Sequence, residues 1–109
     1  MPKTVWELTR LEAVLLAMLR GQDGYGLELR DRAEDVGQSV SLASLYTTLQ
    51  RLEDAGLIRS RWGASTGVRR GARRRYYRLT GRGEQALRDT QQVWQRVLRL
   101  NKQEGKGSA

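Results

Sequence analysis

Between Asp54 and Glu84 the chain carries no acidic residue, while Arg59, Arg61, Arg69, Arg70, Arg73, Arg74, Arg75, Arg78 and Arg82 all fall inside that window. The window is punctuated. A leucine-patterned segment stops at Gly56, residues 57–62 and 74–79 are rich in β-branched, aromatic and arginine side chains, and Gly63, Gly67 and Gly71 break the run between them. Thr80 then opens a further helical pattern. Helix, glycine stop, strand, glycine-rich turn, strand and helix describe a helix packed beside a β-hairpin. A hairpin this cationic cannot enter a core, so it must project toward solvent or toward an anion.

At 109 residues and a formal charge of +8, the chain has room for one core and no separate catalytic lobe. Charge concentrated in one window implies an anionic partner, and nucleic acid fits better than a membrane. A membrane-surface helix would place its cations along one helical face rather than in a hairpin, and no apolar run approaches the roughly 18 residues a bilayer span requires. With no cysteine and no histidine, the usual zinc sites, disulfides and histidine-based catalysis are excluded. Glu7, Glu12, Glu28, Asp31 and Glu34 are spread over helix faces rather than clustered as oxygen ligands. We therefore expect no enzyme, no metal and no cofactor. The N-terminus lacks a basic segment followed by an apolar one, so a cytoplasmic location is expected.

Thr4 with Glu7 reads as a capping box for a first helix over residues 5–19, with Leu8, Leu11, Leu15 and Met18 at helical spacing and Val14 and Leu19 widening the stripe. After the turn Gly21-Gln22-Asp23-Gly24, a second short helix places Tyr25, Leu29, Ala33 and Val36 on one side and ends at Gly37, with Leu27 pointing elsewhere. Ser41 is the N-cap of a third helix, whose inner stripe is Leu42, Leu45, Leu49 and Leu52 and whose stop is Gly56. At 100° per residue the outer face carries Ala43, Ser44, Thr47, Gln50 and Arg51. Small and polar at its start and cationic further on, that face can approach a major groove, although a merely solvated face has the same composition. Ser41, Ser44, Thr47, Gln50 and Arg51 are the candidate DNA-binding residues of this helix.

The hairpin adds Arg69, Arg70, Arg73, Arg74 and Arg75 as candidate phosphate or minor-groove contacts. With no acid interleaved among them, they repel one another unless an anion is present. In residues 74–79, Tyr77 and Leu79 share one face and Tyr76 and Arg78 the other, so one tyrosine packs on the helices and its neighbour faces outward. Thr80 caps a last helix over residues 81–101, in which Leu87, Trp94 and Asn101, and likewise Ala86, Val93 and Leu100, recur seven apart. Its broad apolar face, with Val97 and Leu98, has little intrachain surface to cover it, which predicts a two-fold homodimer. Leu11 and Leu15 of the first helix are assigned to the same interface. Residues 102–109 are polar and glycine-containing, and are expected to be disordered.

The predicted class is mainly α (α+β): a winged helix-turn-helix over residues 1–80, with a two-stranded β-wing, followed by a C-terminal dimerisation helix. The chain resembles the PadR family of bacterial transcriptional regulators, specifically short members with a single C-terminal helix. The resemblance rests on Gly24-Tyr25-Gly26-Leu27-Glu28-Leu29, on Leu45-Tyr46-Thr47-Thr48-Leu49-Gln50-Arg51-Leu52-Glu53 with Gly56-Leu57-Ile58, and on Tyr76-Tyr77-Arg78-Leu79-Thr80 with Gly83 and Leu87. It implies a homodimeric repressor of double-stranded DNA, with the third helix in the major groove and the wing on phosphates or the minor groove. It also implies that Trp94 faces its symmetry mate and lines a cavity for a small planar aromatic effector. Packing of a dimer core is the simpler account of a tryptophan there, since it supplies interface energy whether or not a ligand binds.

The wing is more arginine-rich than the family pattern and lacks the acidic residues often found before the tyrosine pair, which favours less selective binding. An architectural DNA-binding or RNA-binding protein is the competing expectation. The last helix also has few carboxylates. Asp89 lies about 140° around it from Trp94, which leaves no obvious counter-charge for a cation, so a neutral or anionic planar ligand, or no ligand, is equally in keeping with the sequence.

Overall fold

The computed structural model describes residues 7–63 and 73–107, with side chains through Leu100. In chain order the elements are α1 (Arg10–Gly21), β1 (Gly24–Tyr25), α2 (Gly26–Asp35), α3 (Leu42–Asp54), β2 (Ile58–Trp62), β3 (Arg75–Leu79) and α4 (Gly81–Gly107). The strands form one antiparallel sheet in the order β1-β3-β2. This is an α+β winged helix-turn-helix, with α2 and α3 as the helix-turn-helix and β2 and β3 as the wing.

The first helix starts later than residue 5. The spacing Thr-x-x-Glu occurs twice in succession, and the working capping box is Thr9 with Glu12. The Thr9 hydroxyl accepts from the Glu12 N–H at 3.1 Å, and the Glu12 carboxylate accepts from the Thr9 N–H at 2.9 Å. Residues 7–9 are not helical, and Thr4 lies outside the described residues. Starting at Arg10, α1 turns Leu15, Leu16 and Leu19 fully inward.

The sheet has a third strand that the sequence does not announce. Two residues are too few to display alternation, yet Gly24 pairs with Tyr77 and Tyr25 with Tyr76. Tyr25 therefore leaves the α2 stripe for the sheet, while Leu29 and Ala33 stay buried and Val36 is exposed. Leu27 is also exposed.

The core joins Leu15, Leu16 and Leu19 to Leu29, to Leu45, Leu49 and Leu52 of α3, and to Leu57, Ile58, Tyr77, Ala86 and Leu87. Each buried leucine stabilises by roughly 1.5–3 kcal/mol. Gly56 follows α3 at φ 81°, the left-handed conformation that ends a helix at low steric cost in glycine. Thr80 ties this corner to the start of α4. Its hydroxyl donates to the Gly56 carbonyl at 2.7 Å and accepts from the Gly83 N–H at 3.1 Å, while its own N–H donates to the Leu57 carbonyl at 3.1 Å.

Gly83, Ala86 and Leu87 bury the first turns of α4, but every residue from 91 to 100 is exposed. The helix continues past Asn101 to Gly107, over most of the stretch expected to be disordered.

Candidate nucleic-acid interface

Ser41 accepts the Ser44 N–H at 3.1 Å through its hydroxyl, so its side-chain oxygen is committed to capping α3. The first turn of α3 carries no acidic residue, which leaves the positive end of the helix dipole open to an anion. Ser44, Thr47, Gln50 and Arg51 are all exposed on one face. Gln50 donates to Asp54 at 2.9 Å, and Arg51 pairs through Nε with Glu12 at 3.2 Å. Thr48 lies on the buried side and returns its hydroxyl to the Ser44 carbonyl at 2.8 Å.

Tyr46 also belongs to the outer face. With Thr47, Gln50, Arg51 and Asp54 it lines a shallow hollow of about 510 Å³ along α3. Its hydroxyl rests against the backbone at the start of α2, where a Cβ on Gly26 would collide with it. Sequence reasoning passed over this residue because an aromatic in a leucine-rich helix reads as core. Its position between Leu42 and Gln50 on the helical wheel, at the margin of the apolar stripe rather than within it, was the available signal.

In the wing, β2 and β3 pair from Ile58 with Leu79 to Trp62 with Arg75. This register settles the tyrosine pair. Tyr77 packs inward at 4% exposure, and burial pushes its phenol above the ordinary value despite the lowering pull of the Arg75 guanidinium. Tyr76 faces outward, edge-on to Tyr25 with ring centroids 5.6 Å apart.

The arginines separate into two groups. Asp23 receives Arg61 at 2.8 Å and Arg78 at 3.4 Å, and Glu53 receives Arg75 at 3.2 Å. Arg75 also donates to the Ser60 hydroxyl at 2.9 Å, which itself donates to Glu53 at 2.7 Å. Carboxylates from outside the acid-free window thus relieve much of the repulsion expected within it, and Arg75 fastens the wing to α3. Arg59, Arg73, Arg74 and Arg82 pair with no carboxylate among the described residues. Arg74 lies over the Tyr25 ring at 4.5 Å and Arg73 over Trp62 at 5.9 Å. Arg69 and Arg70 lie outside the described residues.

Helices α1 and α4 bound an open groove of about 690 Å³. Leu8, Val14, Ala17, Leu87, Trp94 and Leu98 supply most of its apolar wall, and its charged lining residues are Arg10 and Arg20. Trp94 is 60% exposed and Leu98 63%, while Val93, Val97 and Leu100 continue the uncovered stripe. Leu15 does not contribute to this surface. It is completely buried in the chain's own core, so it cannot meet a partner, whereas Leu11 is half-buried. Among the described residues no helix is long and apolar enough to cross a membrane, and no cluster of acidic side chains is suited to a metal ion.

A model of the PadR-like family of transcriptional regulators matches residues 15–89. A PadR family transcription regulator from Clostridium difficile is 26% identical, superposes with a TM-score of 0.75, and is matched over 87% of this chain and 97% of its own. A PadR family transcriptional regulator from Eggerthella lenta is 30% identical with a TM-score of 0.72, over 85% of this chain and 79% of that one. Bacillus subtilis PadR in complex with operator DNA is 26% identical with a TM-score of 0.67, over 76% of this chain and 47% of that one.

Proposed function

Since the chain belongs to the PadR-like family of transcriptional regulators, which are not enzymes, we propose that it is a dimeric repressor. In this reading α3 enters the major groove of an operator and the wing contacts phosphates or the minor groove. The carrying observation is the α3 face itself. Its first turn is free of acid, its polar residues are aligned and exposed, and the wing carries arginines that have no carboxylate partner among the described residues. The B. subtilis PadR described in complex with operator DNA supports the same assignment. The uncovered apolar stripe of α4 supports a two-fold dimer, which presents two copies of α3 to half-sites about one helical turn, roughly 34 Å, apart.

The α1–α4 groove is the proposed effector site. Its size suits a small ligand, Trp94 offers a stacking face, and its arginines favour a neutral or anionic planar aromatic. An effector acts only if it binds the DNA-competent and DNA-incompetent states unequally.

Competition between the chain's own upstream DNA and random duplex tests the central claim. Two symmetric footprints and a preference of several orders of magnitude are expected, whereas a ratio near one at physiological salt would establish the architectural alternative instead. Sedimentation at micromolar concentration tests the dimer, and a monomer there contradicts it. Effector action requires that planar aromatics quench Trp94 and lower operator affinity together; quenching alone is adventitious binding.

A further inference from the structure

We propose that Glu12, a residue of α1 outside the DNA-facing surface, is the positioning residue for Arg51 and thereby sets how selectively α3 reads DNA. The inference rests on the reading of α3 as the base-reading helix.

Glu12 is 8% exposed, an unusual position for a carboxylate, and burial of a charge is sustained only by partners. One oxygen accepts the Thr9 N–H at 2.9 Å, in the first turn of α1 where the helix dipole favours an anion. The other accepts from Arg51 Nε at 3.2 Å. The capping box holds this carboxylate from its own helix, so Glu12 is the fixed member of the pair and Arg51 the member being fixed. Arg51 bridges 39 positions of sequence to reach it, yet its side chain remains 59% exposed.

With Nε engaged, the guanidinium is held at one edge while its terminal amino groups remain available on a side chain that is largely exposed. Among the described residues neither has another hydrogen-bond partner. Those amino groups supply the paired donors that fit the O6 and N7 edge of guanine. An untethered arginine samples many rotamers and settles on the nearest phosphate as readily as on a base. The same carboxylate repels phosphate, which weakens binding to sequences offering Arg51 no base. Glu12 therefore raises the operator preference from both sides.

The test is selection of binding sites from a random duplex library by the full chain and by Glu12→Gln, Arg51→Ala and the double variant, with affinities for the selected and random duplexes. Glu12→Gln keeps an oxygen for the Thr9 N–H and removes the charge. It is expected to bind random DNA more tightly and to lose about ten-fold in operator preference, within the roughly 5- to 150-fold that one bidentate arginine–guanine pair discriminates. The base positions blurred should be those blurred by Arg51→Ala, and the double variant should be no worse than Arg51→Ala alone. A folding defect alone would weaken both duplexes together, so opposite movement of the two affinities separates positioning from support. The proposal is overturned if Glu12→Gln retains the parent motif and preference, if both affinities fall in parallel, or if its loss adds in full to that of Arg51→Ala. A parent chain that selects no motif at all overturns the reading of α3 itself, a result distinct from any produced by the variants.

Discussion

Two glycines separated by one residue at the start of α4 should respond to the same substitution with opposite signs. A Cβ on Gly83 would collide with the Leu57 carbonyl oxygen and approach the Leu79 Cδ1 at 2.7 Å, whereas a Cβ on Gly81 meets nothing within 4 Å. The Leu57 oxygen is backbone, and it already accepts the Thr80 N–H at 3.1 Å, so displacing it disturbs the hydrogen bonds that join α3, the sheet and α4. Overpacking costs about 1–3 kcal/mol and a weakened hydrogen bond about 1 kcal/mol, offset by up to about 1 kcal/mol of helix propensity. Gly83→Ala should therefore lose about 1–3 kcal/mol, while Gly81→Ala should gain roughly 0.4–1 kcal/mol through the unfolded chain. Urea unfolding followed by tryptophan fluorescence reads both, at one fixed protein concentration because dimerisation shifts the midpoint. A Gly83→Ala midpoint equal to or above the parent's would refute the close packing of α4 on the Leu57 carbonyl.

The remaining predictions concern the wing, the buried phenol and the two kinds of leucine. Arg74→Ala should lower the salt slope of DNA binding by about one, while Arg75→Ala should lower folding stability by about 1 kcal/mol after solvent screening, because it leaves Glu53 and Ser60 without their cation; a reversed pattern in salt titrations and urea melts would invalidate the division. The Tyr77 phenol is raised in the folded chain, so its contribution is fully present below the unfolded value near 10 and is lost as pH rises through the folded value. Tyr77→Phe should accordingly make urea midpoints less sensitive to pH between roughly 9 and 11, and equal sensitivity in both proteins would argue against a raised phenol. Leu15→Ala should cost about 2–5 kcal/mol of folding free energy, whereas Leu98→Ala should spare the fold and weaken self-association in sedimentation. An unchanged sedimentation profile for Leu98→Ala would remove the α4 stripe from the dimer.

The parts of the fold legible in the sequence are those written by local spacing. Leu45, Leu49 and Leu52 announce α3, Ser41 its start and Gly56 its end, because caps and stripes involve residues within a few positions of one another. Local spacing misleads where it repeats. The two successive Thr-x-x-Glu segments are equivalent on paper, and packing of Leu15, Leu16 and Leu19 selects the second. Leu15 shares the apolar stripe of α1 with Leu11 yet is completely buried: periodicity identifies an apolar face without saying what covers it. The two residues of β1 are visible only through their partners on β3, far along the chain.

The same limit governs the charge. Read along the chain, the wing is an unrelieved run of cations and an argument for binding any nucleic acid. In three dimensions Asp23 and Glu53 reach into it from the α1–β1 turn and the end of α3 and constrain three wing arginines, while Glu12, in the first turn of α1, constrains Arg51 of α3. An arginine already paired gives less to a phosphate, since the gain must exceed the ion pair it replaces. Under the proposed function, sequence-independent affinity falls mainly to arginines such as Arg59, Arg73 and Arg74, and its salt slope should be smaller than the arginine count implies, at roughly 0.9 per phosphate contacted. Constraint of Arg51 acts in the opposite direction on selectivity. Thr9 and Arg10 line the α1–α4 groove, and Thr9 holds the carboxylate that holds Arg51. If Arg51 reads bases as proposed, a ligand that moves this turn of α1 would move that side chain without touching α3, which gives the proposed effector site a short physical route to the operator.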